Sequence, residues 1–111
     1  MDYIQSIRQL AKNTELLCKG HAFCRMMTRG ISKDDALNIL RSDTNEVIEI
    51  QKPDKKSKDE RILVYDREYC KDIILVIVMT NFPRIEIITA EYVDYDKWEK
   101  DINNNLRRKI K

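Results

Sequence analysis

Glycine and proline are scarce, two of each in 111 residues, which leaves no low-complexity linker, and no internal repeat is visible either. Cysteine occurs only as Cys18, Cys24 and Cys70, an odd number without a C-x-x-C pair. That fits a reducing, cytoplasmic setting better than a disulfide framework. Long apolar stretches are missing. The longest, IILVIVM at 73–79, falls far below the roughly 20 residues of a membrane-spanning helix. The opening MDYIQSIRQ is polar, so neither a membrane segment nor a signal peptide is expected. A dominant charge of one sign is missing too: 21 Lys and Arg stand against 19 Asp and Glu, a formal net charge of +2, and bulk charge names no partner.

What the chain does have is a high density of charge, 36 per cent of residues, at a size suited to one compact domain. The balance is uneven along it. Residues 100–111 carry Lys100, Arg107, Arg108, Lys109 and Lys111 against Asp101, a local charge of +4, which leaves −2 for residues 1–99. The basic excess therefore sits at the C-terminus. The neighbouring charged run 52–60 offsets Lys55, Lys56 and Lys58 with Asp54, Asp59 and Glu60 and reads as a surface loop.

Hydrophobic spacing predicts the elements. Ile4, Ile7, Leu10, Ala11, Leu17 and Cys18 recur at helical intervals after Asp2, a candidate N-cap, giving a first helix of about four turns that ends near Gly20. A second helix is expected from His21 to Arg29, burying Phe23, Met26 and Met27, with Gly30 as terminator. Ser32 and Asp35 supply a capping pattern for a third helix through Leu40, with Ala36, Leu37 and Leu40 inward. From Glu46 the period changes to two. EVIEI, RILVY at 61–65, the wholly apolar IILVIVMT at 73–80 and RIEIITAEYV at 84–93 read as four strands, the third of them mid-sheet, with a tight connection over Asn81–Arg84. Trp98, Ile102, Leu106 and Ile110 then recur every fourth residue, as in a final helix. The expected class is α+β: N-terminal helices, a four-stranded mainly antiparallel sheet and a C-terminal helix.

The chemistry concentrates in one place. His21, Arg25 and Arg29 fall at four-residue steps, so the second helix points one imidazole and two guanidiniums the same way. An apolar core has no use for such a stripe. A polyanion such as a nucleic-acid backbone does; a plain solvated helix face has the same appearance.

The run HAFCRMMTRGIS at 21–32, followed by an amphipathic helix, the EVIE strand and the closing IITAEYVDYDKW, resembles a family catalogued as domain of unknown function 4258, itself similar to the BrnT and RelE toxins, small ribonucleases of toxin–antitoxin systems. The likeness covers about residues 19–99, which makes 1–18 an additional N-terminal helix and 100–111 the basic end of a final one, within a single domain 1–111. The chain departs from the family in having DREYCKD where a glycine is usual between the second and third strands. The resemblance implies a RelE-like sheet with its helices packed on it, RNA and a cognate antitoxin as partners, and RNA cleavage with no metal or cofactor.

Such cleavage needs a proton acceptor for the 2′-hydroxyl, a donor for the leaving oxygen and cations for the phosphate. His21 carries the only imidazole, the group suited to proton transfer near neutral pH, with Arg25 and Arg29 as phosphate clamps and Tyr65, Thr89 and Tyr92 as substrate-binding hydroxyls or stacking surfaces. The plainer role of the two tyrosines is to cover a sheet edge. A rival set, Cys18, His21 and Cys24 with Cys70, has zinc-ligand chemistry but lacks the paired spacing of a zinc knuckle. Non-catalytic binding of RNA or an acidic protein by the same helix face, aided by the basic tail, is the alternative function.

Overall fold

The structure, a computed structural model, describes residues 3–13, 16–55, 59–79 and 84–109. Among these residues three helices and seven strands follow in the order α1 (Tyr3–Asn13), β1 (Leu16–Cys18), α2 (Gly20–Thr28), α3 (Lys33–Arg41), β2 (Asn45–Gln51), β3 (Arg61–Asp66), β4 (Ile73–Val78), β5 (Ile85–Tyr92), β6 (Trp98–Lys100) and β7 (Leu106–Arg108). The expected α+β class is thus met. Among the described residues no helix is long and apolar enough to cross a membrane.

Local chemistry sets the helix ends. The Ser32 hydroxyl accepts from the Asp35 backbone N–H at 3.0 Å while the Asp35 carboxylate accepts from the Ser32 N–H at 2.9 Å, a reciprocal cap on α3. α2 stops because Gly30 adopts φ 71°, a left-handed conformation open to glycine at little cost. Its N–H then reaches the Met27 carbonyl and that of Ile31 reaches Met26, closing off two orphan carbonyls.

The main sheet runs β1-β5-β4-β3-β2, with β2 to β5 an antiparallel meander and β1 added in parallel to β5. Its centre is β4, buried on both faces along all six residues. One face meets the helices: Ile62, Val64, Leu75 and Ile87 pack with Ile7, Met26, Ile39 and Leu40. On the other face Leu63, Tyr65, Ile74 and Val76 are covered by Trp98 and Leu106 of the β6–β7 hairpin. A bulge leaves Ile88 unpaired between Ile87 and Thr89.

Three expectations are corrected. First, Leu17 and Cys18 do not extend α1; with Leu16 they pair with Ile85–Ile87 as β1, so a strand precedes the second helix and the sheet has five strands, not four. Second, the C-terminal helix is absent among the described residues, where a hairpin stands instead. Asp101 accepts from the backbone N–H groups of Asn103 and Asn105, and Asn104 sits at φ 66°, so a polar turn competes successfully with helix. Ile102, a member of the supposed apolar seam, is 99 % exposed. Third, α2 buries Ala22 and Met26 but leaves Phe23 and Met27 exposed. Asp2, the turn residues 81–83 and Ile110 lie outside the described residues.

Candidate nucleic-acid interface

Burial of Ala22 and Met26 fixes the rotation of α2 about its axis, and Cys18 Sγ packs 3.8 Å from Met26 Sδ beneath it. At 100° per residue His21, Arg25 and Arg29 then fall along one flank, while Phe23 and Met27 fall along the other. All three basic side chains are exposed. Among the described residues neither the His21 nor the Arg25 side chain has a hydrogen-bond or carboxylate partner. Both are open to an incoming anion.

Arg29 is held differently. β1 ends opposite Ile87, and beyond that point Arg29 reaches the free edge of β5, its Nη1 donating to the Ala90 carbonyl at 2.8 Å and to Thr89 Oγ1 at 3.2 Å. Both acceptors are neutral oxygens, so no counter-ion meets the guanidinium there. Tyr92, 47 % exposed, stands at the same end of α2: a Cβ added to Gly30 would lie 4.0 Å from the Tyr92 hydroxyl. Arg29, Thr89 and Tyr92, distant in sequence, are therefore gathered where α2 meets β5.

A second group buttresses this corner. Lys71 Nζ donates to Asp35 Oδ2 at 2.9 Å and to the Gly30 carbonyl at 3.3 Å, and the Tyr69 hydroxyl donates to Asp35 Oδ1. Burial by itself raises the Asp35 carboxyl, but the donors from Tyr69, the Ser32 backbone, Lys71 and the Ser32 hydroxyl together hold it well below the ordinary carboxylate range. The same carboxylate raises the Lys71 ammonium and the Tyr69 phenol through their hydrogen bonds. Asp35 was legible as a helix cap only. Lys71 gave no signal, because its partner lies 36 residues away.

Tyr65 is not part of this corner. It belongs to the hairpin side of the sheet, 3 % exposed, where its hydroxyl donates to Asp72 Oδ1 at 2.6 Å and accepts from Lys100 Nζ at 2.6 Å. Lys100 Nζ also stands 4.8 Å from the Tyr65 ring centroid. Burial first, then the hydrogen bond to Asp72, pushes the Tyr65 phenol far up. Tyr95, which donates to Asp72 Oδ2 at 2.5 Å, is pushed up to about 12 for the same reasons. These phenols hold their protons and act as donors to Asp72.

Both arginines of the basic tail meet carboxylates, while Lys111 lies outside the described residues. Arg108 grips Glu49 with Nε and Nη2, both at 2.7 Å, over the Trp98 ring at 4.4 Å, and Arg107 Nη2 lies 3.0 Å from Asp101. The forked bond to Arg108 comes first among the causes that lower the Glu49 carboxyl. As for metal chemistry, Cys18 is half-buried, Cys24 and Cys70 are exposed, and among the described residues no three His, Cys, Asp or Glu side chains come together as a site.

The α2 flank can thus bind a polyanion, with an aromatic side chain at one end. Comparison of the chain with protein-family models, with curated proteins and with solved structures returns no match in any of the three.

Proposed function

We propose that this is a small RNA-directed protein of RelE- and BrnT-like type, acting in the cytoplasm, which grips an RNA backbone along the α2 flank and cleaves it without a metal. The observation that carries the proposal is the row of His21, Arg25 and Arg29, exposed on one flank with no carboxylate neutralising any of them among the described residues. The two arginines of the C-terminal hairpin, by contrast, both face carboxylates, Arg107 that of Asp101 and Arg108 that of Glu49. A phosphodiester supplies what the flank lacks.

In this reading Arg25 and Arg29 hold the phosphate and offset the charge that grows on its oxygens as the 2′-oxygen attacks phosphorus. His21 is the proton-transfer group, accepting the 2′-hydroxyl proton or supplying one to the departing 5′-oxygen, with water in the complementary role. Tyr92 offers a base a stacking surface. An acidic antitoxin covering the same flank would switch the activity off.

One observation favours a second reading, binding without cleavage. A catalytic imidazole is commonly oriented by a second group, and His21 has no such partner among the described residues. Incubating the purified protein with single-stranded RNA in a chelator separates the two. The nuclease reading expects cleavage by the wild type, none by His21→Ala, and a cyclic phosphate on the product. RNA bound but intact leaves binding alone, and failure to bind RNA defeats both.

A further inference from the structure

The two bonds that Arg29 makes use only one of its terminal nitrogens. Nη1 donates to the Ala90 carbonyl and to Thr89 Oγ1, and among the described residues Nε and Nη2 have no partner. A guanidinium has five donors in a rigid plane, so fixing Nη1 at two points sets the direction of the whole fork. The anchors are themselves firm. Ala90 is fully buried in β5 opposite Leu75 of the central strand, and Lys71 ties the adjoining Gly30 carbonyl to the Asp35 network. Arg29 is exposed nonetheless.

We infer that Thr89, together with the Ala90 carbonyl, presets Arg29 as a phosphate fork whose Nε and Nη2 edge takes two oxygens of one phosphate, so that Thr89 is a positioning residue rather than a contact to RNA. This rests on the α2 flank being the RNA-binding surface. Holding a flexible arginine in its binding geometry removes part of the ordering cost that association otherwise carries. By contrast Arg25, with no anchor, contributes charge without direction.

A double-mutant cycle tests the assignment, with a fluorescent single-stranded oligoribonucleotide as the probe and anisotropy as the readout. Thr89→Val keeps the side chain's shape and removes the acceptor; it is expected to weaken RNA binding about fivefold, the scale of one hydrogen bond's net contribution. Thr89→Ser restores the acceptor and binds like the wild type. In an Arg29→Ala background Thr89→Val has no further effect, because it acts through the missing guanidinium. Arg29→Lys, which keeps the charge but not the fork, binds more weakly than the wild type and more tightly than Arg29→Ala.

A loss from Thr89→Val that adds to the loss from Arg29→Ala shows Thr89 touching RNA itself and overturns the inference, as does a Thr89→Val protein that binds normally. Either result leaves the binding surface standing so long as Arg25→Ala and Arg29→Ala weaken binding. If neither does, the surface is wrong and the inference falls with it.

Discussion

Two regions of this molecule are rich in arginine, and they use it in opposite ways. On the C-terminal hairpin Arg108 is locked onto Glu49 and stacked on Trp98, and Arg107 faces Asp101. On α2 Arg25 is unpartnered among the described residues and Arg29 bonds only neutral oxygens. By charge count the tail is the basic end of the chain, yet its two arginines are paired with carboxylates while Arg25 and Arg29 are not. A charge counted in the sequence becomes a charge available for binding only if the fold withholds its counter-ion.

The largest expected effect belongs to the hairpin. Trp98 is buried against the second face of the sheet and carries Arg108 on its ring. Trp98→Ala should lower stability by about 3–5 kcal/mol, measured by urea unfolding. If the loss is within error, the hairpin is not the structural region it is taken to be.

Next comes the Asp35 network. Its donors include Tyr69, Ser32 and Lys71, and the Lys71 side chain is 39 % exposed, so part of that pair's attraction is screened. Asp35→Ala should cost about 2–3 kcal/mol, chiefly through the lost cap and the polar partners left behind. The pH dependence has a definite sign. The folded-state value of Asp35 lies below its ordinary one, so its stabilisation is complete above the unfolded carboxylate value near 4 and fades as the pH falls below it. Acid titration of unfolding should therefore show a loss below about pH 4 that is smaller in Asp35→Ala; identical acid profiles would contradict the network.

The sharpest contrast pairs one arginine from each region. Arg25→Ala should weaken RNA binding about tenfold, reduce its salt dependence by roughly one phosphate and leave stability unchanged. Arg108→Ala should do the reverse, removing about 1 kcal/mol of stability with RNA affinity unaltered. Equal effects of the two on RNA would erase the distinction between a paired and a free cation.

Much of the fold could be read from local pattern. The meander followed from the alternation of EVIEI and RILVY and from the wholly apolar 73–78, which is indeed the central strand, and the Ser32–Asp35 cap stands as expected. The failures are non-local or nearly degenerate. LLC at 16–18 carries no strand signal until β5 is there to pair with it. The four-residue spacing of Trp98, Ile102 and Leu106 fits a helix, while the alternation Trp98, Lys100 and Leu106, Arg108 fits a hairpin, and the turn formed by Asp101, Asn103 and Asn105 decides between them. For the candidate site, the helical stripe was legible because it is local, and the gathering of Thr89 and Tyr92 at its end follows from β5 lying beside α2. Residues paired across strands share a side: Tyr92 pairs with Ile73 of the helix-side cluster, whereas Tyr65 pairs with Ile74 of the hairpin cluster and points to the other face, which Thr89 shares through Val76 at the sheet edge where Arg29 reaches it.

Backbone amide spectra recorded while a short single-stranded oligoribonucleotide is added test the central claim most directly. Shifts confined to residues 20–30 and to 89–92 of β5, weakened by added salt, are the predicted result. Shifts that map instead to the hairpin at 97–109, or a spectrum that does not change at saturating RNA, would contradict it.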